Sequence, residues 1–116
     1  MKEKVYNYDA FGDKHQIILA RTSYKSNNSI AVLMIEKMPD GSEEDWATLT
    51  VNLVDAIVPA DSETAYIDTN NLGEDIIRWL SNNRIAVKTA FFGRSGYCTY
   101  PLVMFTKGAL NSMRRL

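Results

Sequence analysis

The two side chains best suited to covalent chemistry are Cys98 and His15, each the only residue of its type in the chain. A thiol next to an imidazole base is a working nucleophile. A cysteine inside a strand and a histidine near a hairpin are the more ordinary reading, because free cysteine behaves as a small buried apolar residue. One cysteine cannot close an internal disulfide, and one cysteine with one histidine cannot ligate zinc by themselves. Gly93-Arg94-Ser95-Gly96-Tyr97 begins like a nucleophile elbow, but Tyr97 stands where the closing glycine belongs. The chain is also too short for the hydrolase sheet that carries that motif. The segment reads as a turn, and with no helix signal after it, it makes a poor phosphate cradle. No catalytic residue is assigned. The expectation is a non-enzyme without cofactor or metal.

Binding chemistry is better represented. Glu36, Asp40, Glu43, Glu44 and Asp45 surround a Pro39-Asp40-Gly41 turn, with Lys37 the one base among them. They lack the spaced ligand pattern of a calcium loop. They read either as a solvated hairpin tip or as an acidic surface for a basic protein partner, and they are the candidate protein-binding residues. The alternative is nucleic acid. Arg78, Arg84, Lys88 and Arg94 are interleaved with Trp79, Phe91, Phe92, Tyr97, Tyr100 and Phe105, the mixture of charge and stacking surface that single-strand binders use. Aromatics of this kind also pack cores.

Charge is unevenly distributed along the chain. The formal total is −1, yet Met1–Asp75 holds 14 acids against 6 bases, while Ile76–Leu116 holds 7 bases and no acid. Segregation of this sort marks a partner surface only if folding keeps the halves apart.

The elements that must position these residues follow from periodicity. Val5–Phe11 and His15–Tyr24 are rich in strand formers and predict a hairpin turning at Gly12-Asp13. Ile30–Met38 is apolar on both faces, as a central strand would be. After the Pro39-Asp40-Gly41 turn, Trp46–Leu53 alternates, with Ala47, Leu49, Val51 and Leu53 on one side and Thr48, Thr50 and Asn52 on the other. Val54–Glu63 reads as a loop and Thr64–Asp68 as a short strand. Asn71, with Glu74 three residues later, has the form of a capping box, and Leu72, Ile76, Ile77 and Leu80 share one helical face. Ser81-Asn82-Asn83 closes that helix. Ile85–Phe92 and Tyr97–Phe105 read as strands around a Gly93–Gly96 turn, the second an edge or bulged strand at Pro101. Lys107–Leu116 suits a short terminal helix, with Gly108 working against it. The fold class expected is α+β: a mainly antiparallel sheet of about five to six strands packed by one central helix.

With 116 residues, 46% hydrophobic and 23% charged, the chain has the size and composition of one domain with its own core. No apolar run approaches the roughly 18 residues of a membrane-crossing helix. The charged start Met1–Tyr8 is not followed by the apolar segment of a signal peptide. A cytoplasmic location is the simplest expectation.

Trp46-Ala47-Thr48-Leu49-Thr50-Val51-Asn52-Leu53, Ala65-Tyr66-Ile67-Asp68-Thr69-Asn70-Asn71 and Ser95-Gly96-Tyr97-Cys98-Thr99-Tyr100-Pro101, together with Tyr8-Asp9-Ala10-Phe11-Gly12, resemble a domain-of-unknown-function family of small proteins. Such proteins are carried on conjugative elements, plasmids and prophages of gut bacteria. The resemblance brings no activity and no catalytic residues. It implies an accessory protein of a mobile element, a class that includes anti-CRISPR inhibitors of host defence nucleases. The partner expected on that basis is a protein such as a CRISPR effector nuclease, with nucleic acid as the alternative and no membrane.

Overall fold

A computed structural model of the chain describes residues 3–116, so the first two positions of the charged start Met1–Tyr8 lie outside it. The fold is α+β, and its strands form two sheets rather than one. The first sheet contains β1 (Val5–Ala10), β2 (Asp13–Ser23), β3 (Ile30–Lys37) and β4 (Glu43–Thr48), antiparallel and in that order. The second runs β5 (Thr50–Val51), β6 (Thr64–Ile67), β8 (Cys98–Phe105), β7 (Ala86–Ser95). The helices are α1 (Thr69–Leu72), α2 (Asp75–Asn82) and α3 (Lys107–Ser112). The final strand β9 (Arg114–Arg115) pairs in parallel with β2.

Period-2 alternation explains how the sheets meet. Tyr6, Tyr8, Ile17, Leu19, Val32 and Met34 cover the inner face of the first sheet. Ala65, Ile67, Val103 and Phe105 cover that of the second, and both sets belong to one buried cluster with Ile76 and Leu80 of α2. Burying a side chain of this size contributes roughly 1.5–3 kcal/mol, so α2 is held by its apolar face more than by its caps. The other face of the second sheet carries a smaller cluster. There Tyr66, Tyr100 and Leu102 are covered by Leu53, Ala56, Val58 and Ala60 of the loop after β5.

Several expectations need correction. The first turn is Phe11-Gly12, not Gly12-Asp13: Ala10 pairs with Asp13, and φ is +54° and +81° at the two turn residues. Trp46–Leu53 is not one alternating strand. It breaks at the fully buried Leu49, passing from the first sheet to the second. Thr50 is therefore buried, and its hydroxyl accepts from Val32 N–H at 3.2 Å and bonds Tyr24 Oη at 2.8 Å.

The central helix is interrupted too. Asp68, not Asn71, caps α1, with Oδ1 accepting from Asn71 N–H. Gly73, at φ +87°, then turns the chain before α2 starts at Asp75 without a side-chain cap. Just after α2, Arg84 takes the left-handed conformation, at φ +56°. Gly93 and Arg94 lie inside β7, and the second-sheet hairpin turns at Gly96-Tyr97. Pro101 does not make β8 an edge strand, since β8 lies between β6 and β7. It sits instead where β7 bulges between Lys88 and Phe92 and just past the last β6 pairing at Leu102, so its missing N–H costs no ladder bond on the β6 side. The terminal helix ends at Ser112, and the chain returns to the first sheet.

Candidate functional site

A groove of about 680 Å³ lies between β1 and the α1–α2 pair, lined by Tyr8, Asp9, Phe11, Trp46, Asp75 and Trp79 among others. Strand alternation puts Tyr6 and Tyr8 on the inner face of β1, and helical spacing brings Trp79 opposite them. Their rings meet edge-on, with centroids 6.0 Å apart for Tyr6–Trp79 and 5.0 Å for Tyr8–Trp79. Tyr8 also meets Trp46 at 6.1 Å. Edge-to-face pairs of this kind contribute about 0.5–1.5 kcal/mol beyond their burial. The indole N–H of Trp79 donates to the Asn7 carbonyl at 2.7 Å and joins the two walls. Burial raises the Tyr8 phenol above its ordinary pKa, so it stays neutral.

Phe11 overhangs this groove and is 95% exposed. A bulky residue at positive φ is a steric outlier, and this one gains no burial from it. Asp9 and Asp75 stand on the rim, Asp75 beside Arg78 at 3.5 Å.

His15 supports the floor. Its ring lies 4.4 Å from that of Trp46, and Nδ1–H donates to Glu36 Oε2 at 2.6 Å. The Glu36 carboxylate raises the His15 pKa. Cys98 is elsewhere, on the second sheet's outer cluster, beside the Tyr100 hydroxyl whose pKa it raises. The nucleophile and base considered from the sequence are therefore not brought together.

The five acidic candidates are divided between different environments. Glu36 is held by His15, and Asp40 Oδ1 caps Ser42 through its N–H and hydroxyl at 2.9 and 2.6 Å, which lowers its pKa. Register places Glu43 across from Lys37 and Glu44 across from Glu36, so these two neighbours face opposite sides of the sheet. Arg114 donates to both oxygens of Glu43 at 2.8 Å and also grips Glu3. Glu44 and Asp45 make no ion pair among the described residues. The acidic and basic halves of the chain thus interleave at Arg114.

The four basic candidates also separate. Arg78 belongs to the groove rim, whereas Lys88 and Arg94 lie on β7, and Arg84 just precedes that strand. Among the described residues no group of acidic, histidine or cysteine side chains is arranged to hold a metal ion. Among the described residues no helix is long and apolar enough to cross a membrane.

Sequence reasoning assigned Trp79 to the basic segment and gave Tyr8, Phe11 and Trp46 no site role. The signal that could have found them is a Phe-Gly pair in a two-residue turn, a place that normally takes Asn-Gly.

The family model that matches the chain covers residues 18–115. The chain belongs to a family of unknown function. It is described as Domain of unknown function (DUF4313). The matched residues include Trp46 and Trp79 but begin within β2, so the β1 wall and Phe11 lie outside them. No curated protein and no solved structure matches the chain.

Proposed function

We propose that the protein is a non-enzymatic, protein-binding accessory factor of a mobile genetic element, acting in the cytoplasm as an inhibitor of a host defence nuclease such as a CRISPR effector. Its docking surface is the aromatic groove, with Asp9 on its rim and Glu44 on the Tyr6 face of the same sheet, neither in an ion pair among the described residues, steering a basic partner. The observation that carries this reading is Phe11. A fully exposed aromatic held at φ +54° is expensive for the free protein, and strained residues concentrate where ligands are clamped. Tyr8, Trp46 and Trp79 also line the groove, and Trp and Tyr are enriched in binding hot spots. Cys98 and His15 lie on different sheets, which favours a binding role over a thiol–imidazole pair.

The test is a plasmid-interference assay in cells carrying an active CRISPR effector. Expression of the wild-type chain should restore transformation, and Phe11→Asn should abolish that protection while leaving the chain folded. Protection unchanged by Phe11→Asn and by Asp9→Lys with Glu44→Lys would remove this surface. No protection against any effector tested would remove the inhibitor reading.

A further inference from the structure

The β7–β8 hairpin carries a second surface, separate from the groove. β7 is the outermost strand of its sheet and pairs only with β8. Along it Phe91 and Phe92 are each about half exposed, at 51% and 52%, and Tyr97 at the hairpin tip is fully exposed. Neither phenylalanine belongs to either buried cluster, so core packing does not account for them. Lys88 Nζ stands 4.8 Å from the Phe92 ring centroid, and Arg94 lies two residues beyond Phe92 on the same side of the strand. Arg84, Lys88 and Arg94 make no ion pair among the described residues, and β7 and β8 contain no carboxylate.

We propose that this hairpin binds single-stranded nucleic acid, with Phe91 and Phe92 as stacking platforms and Lys88 and Arg94 on the phosphates. Charge and chemistry select that occupant. Unpaired cations with no acid beside them fit a polyanion, and open aromatic rings fit bases whose faces are free, which a duplex hides. Pairing of two copies edge to edge is opposed, since the bulge between Lys88 and Phe92 breaks the ladder and both copies would present the same cations. Arg78 takes no part, being on the groove rim beside Asp75.

The test is fluorescence anisotropy with a labelled oligothymidylate of about 15 nucleotides, titrated from about 50 to 200 mM salt. Affinity should fall steeply with salt, and an unlabelled duplex of equal length should compete poorly. Phe91→Ala and Phe92→Ala should each weaken binding about tenfold. Lys88→Glu with Arg94→Glu should weaken it further and flatten the salt slope, while Phe11→Asn should change nothing. These side chains are exposed, so unchanged thermal melting serves as the folding control. Absence of binding at low salt, equal competition by duplex, or full binding by the Phe91→Ala/Phe92→Ala variant would overturn the proposal. So would dimerisation in sedimentation experiments that Phe92→Ala abolishes while no oligonucleotide binds. Each of these outcomes is independent of the groove's role in protein binding.

Discussion

Trp79 of α2 donates its indole N–H to the carbonyl of Asn7 in β1 at 2.7 Å, joining two elements from opposite halves of the chain across the groove floor. Trp79→Phe keeps most of the ring contacts with Tyr6 and Tyr8 but deletes this donor. A hydrogen bond of this type has a net worth of about 1 kcal/mol. Denaturant unfolding should show Trp79→Phe destabilised by about 1–2 kcal/mol, with an unchanged m-value. A loss below a few tenths would mean that the bond does not hold the groove together.

Phe11→Asn should raise stability. The position needs a left-handed backbone, which asparagine adopts more readily than phenylalanine, and Phe11 loses no burial on replacement. The gain should be about 1 kcal/mol, read as a higher melting temperature. With the loss of activity expected above, this variant would separate stability from function. A lower melting temperature would show that Phe11 packs usefully after all.

His15 is the one histidine, so its ring protons report one site without ambiguity. Glu36 raises its folded-state pKa. A raised pKa stabilises the fold fully below the unfolded value, about 6.5, and that contribution disappears as pH rises through the folded value. Melting temperature should therefore decline from slightly acidic to alkaline pH, and His15→Gln should remove that part of the slope. An NMR titration with a midpoint at or below 6.5 would contradict the coupling.

Arg114 makes the opposite prediction for acid. By hydrogen bonding to Glu3 and Glu43, it holds both carboxyls below their ordinary range. Their contribution is complete above the unfolded glutamate value, about 4.3, and is lost as pH falls through the folded values. Arg114→Ala should melt lower than wild type at neutral pH. The gap should close as the solution is acidified below about 4.3. A gap that persists in strong acid would point to lost packing of the arginine stem.

Gly93→Ala should destabilise the second sheet. A methyl there would come within 2.6 Å of Leu53 Cδ1 and 2.8 Å of Tyr66 Cε1. Leu53 can shift, but the Tyr66 ring is fully buried and its hydroxyl is bound to the Val58 carbonyl. Overpacking of this kind costs about 1–3 kcal/mol, which equilibrium unfolding would measure. A neutral result would mean that the loop over Tyr66 moves freely.

By itself, the sequence determined the local periods. The strand-forming runs of β1 and β2, the two-faced apolar run of β3, the helical face of Ile76 and Leu80, and the turn at Pro39-Asp40-Gly41 all depend on neighbours within a few residues, and all appear in the fold. The absence of acids after Asp75 was equally legible, being a property of composition. Tertiary structure decided what depends on distant partners. The apparent single strand Trp46–Leu53 changes sheets at Leu49 because β3 pairs its first part and β6 its last, and no local pattern encodes a change of partner. Glu43 looked like an exposed hairpin-tip acid until β9 brought Arg114 against it. Cys98 and His15 were candidates for one site until the fold placed them on different sheets, in β8 and β2. The groove itself consists of residues from β1 and its turn, β4, α1 and α2 that meet only when the helices pack on the first sheet around the core. Local preferences set which elements form, and long-range burial set which side chains they bring together.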